Sequence, residues 1–146
     1  MTNPPLKTPW HLWLVGVIAV LFNFIGVFDF TMSMAKGAEY QASAGMTPEQ
    51  IAHYQQLPGW MMVVWAIGVF AAFLASILLL MRRKLSLPIF ILSLGAFLLS
   101  LLYHYVLSDG GAVLGQDMMV ASAVITALLV FFCWYASFMT KRGVVR

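Results

Sequence analysis

Long runs of apolar residues alternate with short polar segments along this chain, and charge, glycine or proline bounds each run. The four runs cover roughly 10–33, 59–81, 87–107 and 117–139, and each approaches or exceeds the ~20 residues that a helix needs to cross a bilayer. Short links place consecutive spans antiparallel. The pattern predicts an all-α membrane protein, with residues 1–146 forming a single transmembrane domain: an up-down-up-down four-helix bundle.

The distribution of charge predicts the orientation of this bundle. Every acidic residue lies at or beyond one set of span ends, and every basic residue except Lys36 lies at the other set. Cytoplasmic loops carry an excess of Lys and Arg. We therefore expect both termini in the cytoplasm and the longest loop, at 35–58, on the outer side of the membrane.

The loop at 35–58 contains the signals of a short helix. Thr47 suits the N-cap, Pro48 suits the first helical position, and Gln50 completes a capping box with Thr47. Pro58 stops a helix that reaches about Gln56. We expect this helix to lie on the outer membrane surface.

Composition limits the classes of function that the chain can have. Hydrophobic residues make up 62% of the sequence and charged residues 9%, against about 25% charged in soluble domains, so the lipid bilayer is its solvent. The net charge of +3 is spread over short groups beside the spans, which gives no nucleic-acid patch. A single cysteine, Cys133, excludes an internal disulfide.

The sequence gives no sign of an enzyme or of a cofactor. It contains no Ser-His-Asp, P-loop or GxGxxG arrangement. Haem ligation by two histidines is excluded because His11, His53 and His104 fall at the inner end, in the loop and at the outer end respectively. We therefore expect no catalytic residue, no cofactor and no metal.

Small and polar residues recur at helical spacing in each span. Such residues gather where membrane helices pack, because close contact and polar bonds replace the hydrophobic effect there. The stripes are Gly16, Ala19, Asn23 and Gly26; Gly68, Ala72 and Ser76; Ser93, Ala96, Ser100 and His104; and Ser122, Thr126, Cys133 and Ser137. We expect these faces to meet in the bundle interior.

Four polar residues in or beside these stripes form a candidate cluster near the outer face: Asp29, His104, Asn23 and Asp117. Asp29 lies roughly 28 Å along its helix, counted at 1.5 Å per residue, and His104 lies at a similar depth. Three interpretations stay open. In the first, Asp29 is structural and either pairs with His104 or caps the loop. In the second, Asp29 is a cation-binding or proton-coupled carboxylate, with His104 sharing the proton. In the third, the group binds a metal, although no metal-ligand spacing supports that.

The chain resembles a group of small four-span inner-membrane proteins of proteobacteria that are often labelled as sugar transporters. The residues that carry this resemblance extend over the whole chain: 9–13, Asn23, Gly26, 28–29, 47–50, 107–110 and 141–144. The resemblance implies a multi-pass protein of the bacterial inner membrane, with the outer loop in the periplasm, and it implies solute movement. It assigns no binding residue.

Two functions follow from this sequence. The first is small-solute, sugar-like transport or a channel formed by a homo-oligomer, with a path between protomers because one bundle is too narrow for both a path and a packed core. The alternative is a non-catalytic accessory subunit that packs against a larger membrane complex.

Overall fold

The computed structural model of the protein describes residues 7–107 and 110–145, without the side chains of residues 110–114 and 117. Its helices are α1 (Trp10–Lys36), α2 (Ala38–Ser43), α3 (Pro48–Gln55), α4 (Gly59–Leu80), α5 (Ser86–Leu102) and α6 (Gly110–Lys141). A π-helical turn, Tyr103–Leu107, extends α5. The described residues contain no strand, and the predicted all-α class is confirmed.

Four of these segments are long and apolar enough to cross a membrane. They are Trp10–Lys36, Gly59–Leu80, Ser86–Leu107 and Met118–Lys141. A span of 22 residues, such as α4, is about 33 Å long at 1.5 Å per residue, which matches the hydrocarbon core of a bilayer. Helices suit this solvent because they satisfy every interior backbone N–H and C=O within one segment. The predicted four-span bundle is confirmed.

Proline and glycine set several of the helix boundaries. Pro9 and Pro58 are the N-cap residues of α1 and α4, and Gly37, with a φ of 57°, ends α1. Gly115 has a φ of 77° and interrupts α6, where an L side chain would be strained. Helix α6 therefore begins at Gly110 and changes direction at Gly115, and its membrane-spanning part, Met118–Lys141, follows this kink.

The predicted loop helix is present as α3. Thr47 Oγ1 accepts a hydrogen bond from the Gln50 backbone N–H at 3.2 Å, and the Gln50 side-chain oxygen accepts one from the Thr47 N–H at 3.0 Å. The capping box is therefore complete. Helix α2 was not predicted, because it is only six residues long and has no side-chain cap.

The spans pack in chain order, and their two ends differ. Helix α1 packs on α4, α4 on α5, and α5 on α6. Arg82 donates a hydrogen bond to Thr8 at 2.9 Å, which brings the α4–α5 link beside the start of α1. We call this end of the bundle the basic end. The opposite end, which carries α2 and α3, is the loop end.

The basic end is filled by large side chains. Those that are completely or almost completely buried include Leu12, Leu79, Phe90, Phe132 and Met139. The chain after α6 folds back under them, because Gly143 adopts a φ of 76° and the Val145 N–H reaches the Met139 carbonyl at 3.3 Å. This packing closes the bundle interior at the basic end.

The outward faces of all four spans expose large apolar side chains. Examples are Ile25 at 65%, Val63 at 58%, Leu92 at 55% and Val124 at 52%. Water-soluble proteins do not expose such continuous apolar surface. Lipid must therefore cover the bundle.

Close packing of α1 on α4 leads to a prediction about Gly16. A Cβ atom added there would lie 2.8 Å from Leu80 Cγ, whereas one added at Gly95 on α5 meets nothing within 4 Å. We expect Gly16→Leu to lower the free energy of unfolding by about 1–3 kcal/mol through overpacking. Unfolding titrations in mixed micelles measure this loss. Gly95→Leu is the matched control, and an equal loss in both variants would contradict the packing described for Gly16.

Candidate functional site

The loop-end half of the bundle encloses a cavity of about 400 Å³. All four spans line it, together with α2, α3 and the π-helical turn. Its polar lining side chains are Asn23, Asp29, Tyr40, Tyr54, Ser93, Ser100, His104, Tyr105 and Ser122. The cavity lies inside one protomer, whereas sequence reasoning placed a solute path between protomers.

Small side chains explain why this half of the bundle is not filled. Gly26, Gly68, Ala72 and Ala96 line the cavity from α1, α4 and α5. A Cβ on Gly68 would lie 3.7 Å from the Cβ of Ala96, so α4 and α5 approach each other closely behind the cavity wall. The stripes of small residues therefore serve both as packing surfaces and as cavity walls.

Interhelical hydrogen bonds hold the deeper wall of the cavity. Asn23 Nδ2 donates to Ser76 Oγ at 2.8 Å, and the Ser76 hydroxyl donates to the Ala72 carbonyl at 2.7 Å. Ser93 Oγ donates to the Gly68 carbonyl at 2.7 Å. These bonds join α1 to α4 and α5 to α4, and measured bonds of this kind in membranes average about 0.6 kcal/mol. One N–H of Asn23 and the hydroxyl hydrogens of Ser76 and Ser93 are therefore engaged within the protein.

Asp29 lies where the cavity meets the surface at the loop end. Its side chain lines the cavity and is also exposed, and its Oδ1 accepts a hydrogen bond from the Tyr40 hydroxyl at 3.0 Å. The rings of Phe28 and Tyr40 meet edge to face, 6.3 Å apart. Partial burial, followed by the bond to Asp29 and its negative charge, raises the pKa of Tyr40. Helix α2 thus brings a phenol to the carboxylate at the cavity mouth.

Helix α3 covers the loop end through a cluster of rings. A hydrogen bond of 2.8 Å joins His53 Nε2 to His104 Nδ1, with one imidazole donating its N–H and the other accepting it. The Tyr54 ring lies 5.6 Å from that of His104 and 5.9 Å from that of Trp65. His104 belongs to the π-helical turn, and π-helical segments are frequent at functional sites. The turn carries the imidazole that anchors α3.

Burial and charge act together on Tyr54. Burial raises its pKa to about 12, with smaller contributions from the negative charge of Asp29 and from Tyr105. The phenol is therefore a neutral hydroxyl at any physiological pH. The negative charge of Asp29 therefore acts on Tyr54, a residue of α3.

Three of the four predicted cluster residues line this one cavity: Asp29, His104 and Asn23. The side chain of the fourth, Asp117, lies outside the described residues. Within the described side chains, Asp29 bonds to Tyr40 and His104 to His53, rather than to each other. No group of three His, Cys, Asp or Glu side chains comes together as a metal site in the described ranges 7–107 and 110–145.

Sequence reasoning missed the contribution of the loop. Tyr40, His53 and Tyr54 come from α2 and α3, and Trp65 comes from a part of α4 that carries no polar stripe residue. The capping box predicted that α3 forms, and its histidine and tyrosine indicated an interfacial position. No local signal showed that α3 folds over the bundle to reach His104.

Comparison with known protein families, characterised proteins and solved structures found no match. The interpretation of the site therefore depends on its own geometry.

The contact between His53 and His104 makes the position of α3 sensitive to pH. Burial lowers the pKa of His53 below its ordinary value of 6.5. Between the lowered pKa and 6.5, α3 binds more protons when released than when docked, so docking weakens as the pH falls through this window. We expect α3 amides to exchange hydrogen a few-fold faster at pH 5.5 than at pH 7.5, after correction for intrinsic exchange.

The control for this experiment is His53→Gln, which retains a hydrogen-bonding side chain that does not titrate. Its α3 amides should show a smaller change between the two pH values. Equal protection of wild-type α3 at both would contradict the role given to His53.

Proposed function

We propose that the protein binds a small solute in the loop-end cavity and moves it across the bacterial inner membrane, acting as a homo-oligomer. The cavity of about 400 Å³ between the four spans is the observation that carries this proposal. Small-molecule sites in proteins are concave, enclose about 300–1,000 Å³ and combine an apolar lining with a few placed polar groups. The cavity has this size and this lining.

The position of the cavity supports transport in particular. The cavity is close to the loop end, which on our proposal faces the periplasm because the opposite end carries most of the Lys and Arg residues. On the other side, large buried side chains such as Phe90 and Phe132 close the bundle, and their rings lie 5.7 Å apart. The cavity therefore has the form of a site open towards one side of a membrane and closed towards the other, as alternating access requires.

Helix α6 is the element best placed to open the closed side. It packs along its length on α5, whereas over the described residues it has little close backbone contact with α1. Side chains bridge the gap instead: the His11 ring is hydrogen-bonded to the Tyr135 hydroxyl, and the Phe22 and Phe132 rings lie 6.4 Å apart. Separation of α1 from α6 therefore requires the His11–Tyr135 bond to break and the shared side-chain core to part, without loss of close backbone packing.

The outward face of α6 supports assembly. Ala123 and Ala127 are exposed one helical turn apart, which is the small-residue spacing that lets membrane helices approach closely. A second copy of this chain uses such a face in a homo-oligomer. The same face also suits the alternative function, an accessory subunit docked on a larger membrane complex.

Solute entry is tested by filling the cavity. Ser122 lines the cavity, whereas Leu92 is exposed on the lipid-facing side of α5. We expect wild-type proteoliposomes, shrunk in a hyperosmotic solution of xylose, glucose, glycerol, ethanolammonium thiocyanate or choline thiocyanate, to re-swell for at least one of these solutes. The permeant thiocyanate anion balances the charge of an entering cation. Ser122→Phe should reduce that rate at least about tenfold because the phenyl group occupies the site. Stopped-flow light scattering measures the rate.

Leu92→Phe is the matched control for this test. It places the same ring on the lipid-facing side of α5, away from the cavity and from the Ala123–Ala127 face, and should re-swell at the wild-type rate. The proposal fails if no solute of the panel enters faster than into protein-free liposomes, or if Ser122→Phe re-swells as fast as Leu92→Phe.

Native mass spectrometry of the untagged protein, extracted mildly from its own membranes, separates the two functions. We expect a symmetric homo-oligomer, and we expect Ala127→Trp to shift it towards the monomer because the indole obstructs close approach of α6. Isolation in a fixed ratio with a different membrane protein would instead support the accessory subunit.

A further inference from the structure

We infer that the solute is a small organic monocation, an ammonium group on a compact apolar body, and that its charge is bound by Asp29 and Tyr40 at the mouth of the cavity. This inference depends on the proposed function for its setting, since it names the solute class of the same site. It comes from the charge, the aromatic lining and the hydrogen-bonding capacity of the cavity.

The charge of the cavity has one sign. Asp29 carries the one carboxylate among the described lining residues, and none of these residues is a lysine or an arginine. Lys36, the basic residue at this end of the chain, is not a lining residue. A carboxylate at the edge of a low-dielectric space is stabilised by an opposite charge. A positively charged solute supplies it.

The hydrogen bond to Tyr40 leaves Asp29 able to bind such a solute. An ionised carboxylate has about four acceptor positions, and the Tyr40 hydroxyl occupies one of them, on Oδ1. The same bond fixes the direction of the carboxylate. The N–H of an ammonium group can therefore donate to an Asp29 oxygen whose direction is already fixed.

Aromatic rings surround the space behind Asp29. Phe28, Tyr40, Tyr54 and Trp65 all line the cavity, and the Tyr54 and Trp65 rings lie 5.9 Å apart. Cations bind to the faces of such rings, most strongly to tryptophan, and sites for quaternary ammonium ligands use them. The negative charge of Asp29 contributes to the raised pKa of the Tyr54 phenol, so the carboxylate and this ring are close enough to interact.

The same lining disfavours a phospholipid headgroup. A phospholipid headgroup with an ammonium group also carries a phosphate, which needs a cation. No described lining residue is a lysine or arginine.

Isothermal titration of the purified full-length protein tests the inference with matched probes. The cations are tetramethylammonium, choline and ethanolammonium. The comparison solutes are 3,3-dimethyl-1-butanol, which is the neutral carbon analogue of choline, xylose, and phosphocholine for the headgroup. We expect at least one cation to bind at least about tenfold more tightly than every comparison solute, because only a cation makes a charge-assisted contact with Asp29.

Two charge-removing variants locate the site. Asp29→Asn keeps the shape of the side chain and should weaken binding of that cation at least about tenfold. Glu39→Gln removes a charge from the exposed α2 residue Glu39, which does not line the cavity, and should bind as wild type does. The comparison of probes on the wild-type protein stands even if Asp29→Asn fails to fold.

The outcomes distinguish this inference from the proposed function. If xylose enters proteoliposomes while no cation binds more tightly than its neutral analogue, transport stands and the monocation inference is wrong. If a cation binds through Asp29 but no solute re-swells the vesicles, the site stands and transport is wrong. Tighter binding of phosphocholine than of choline would identify a lipid headgroup and overturn the inference, as would unchanged affinity in Asp29→Asn.

Discussion

The structure depends on how the four spans fill their shared interior with side chains of different size at the two ends. Phe90, Phe132, Leu79 and Met139 are buried at the basic end and bring the helices into firm contact there. Towards the loop end, small residues such as Gly26, Gly68, Ala72 and Ala96 interrupt the larger side chains of the facing helices, and helices held at the spacing set by the basic end cannot collapse onto them. A cavity on one side of the membrane is the consequence. In lipid no hydrophobic effect between helices drives the interior to close, so such a space can persist.

The loop between α1 and α4 completes what the spans leave open. Helices α2 and α3 add the phenols of Tyr40 and Tyr54 to the cavity lining. The bond between His53 and His104 attaches the loop to the π-helical turn rather than to a regular helix. A π-turn re-aims its side chains relative to an α-helix, because it places an extra residue in one turn. The π-helical turn at the end of α5 therefore directs the His104 imidazole towards α3.

The parts of this architecture that follow from local or periodic signals could be predicted from the sequence. Hydropathy gave the four spans, and Thr47 with Gln50 gave the start of α3, because a capping box is formed by residues three positions apart. Helical spacing placed Asn23 and His104 in the interior stripes and Asp29 at the edge of one, and all three line the cavity, Asp29 at its exposed mouth. The docking of α3 could not be predicted, because His53 and His104 are 51 residues apart and nothing near either residue encodes the pairing. The break at Gly115 also lacked a signal, since glycine inside an apolar run is as readily a packing residue.

The location of Asp29 explains how one carboxylate at the cavity mouth attracts the cation that we propose as its ligand. Two unit charges 4 Å apart attract by about 1 kcal/mol in water and about 4 kcal/mol at an effective dielectric constant of 20. A carboxylate deep in lipid would carry a large desolvation penalty while it is empty. Asp29 is exposed on one side and borders the cavity on the other, so its effective dielectric constant lies between these limits and depends on how closely α2 and α3 cover it. Release of α3 would break the bond between His53 and His104 and would weaken the attraction at Asp29 by admitting water.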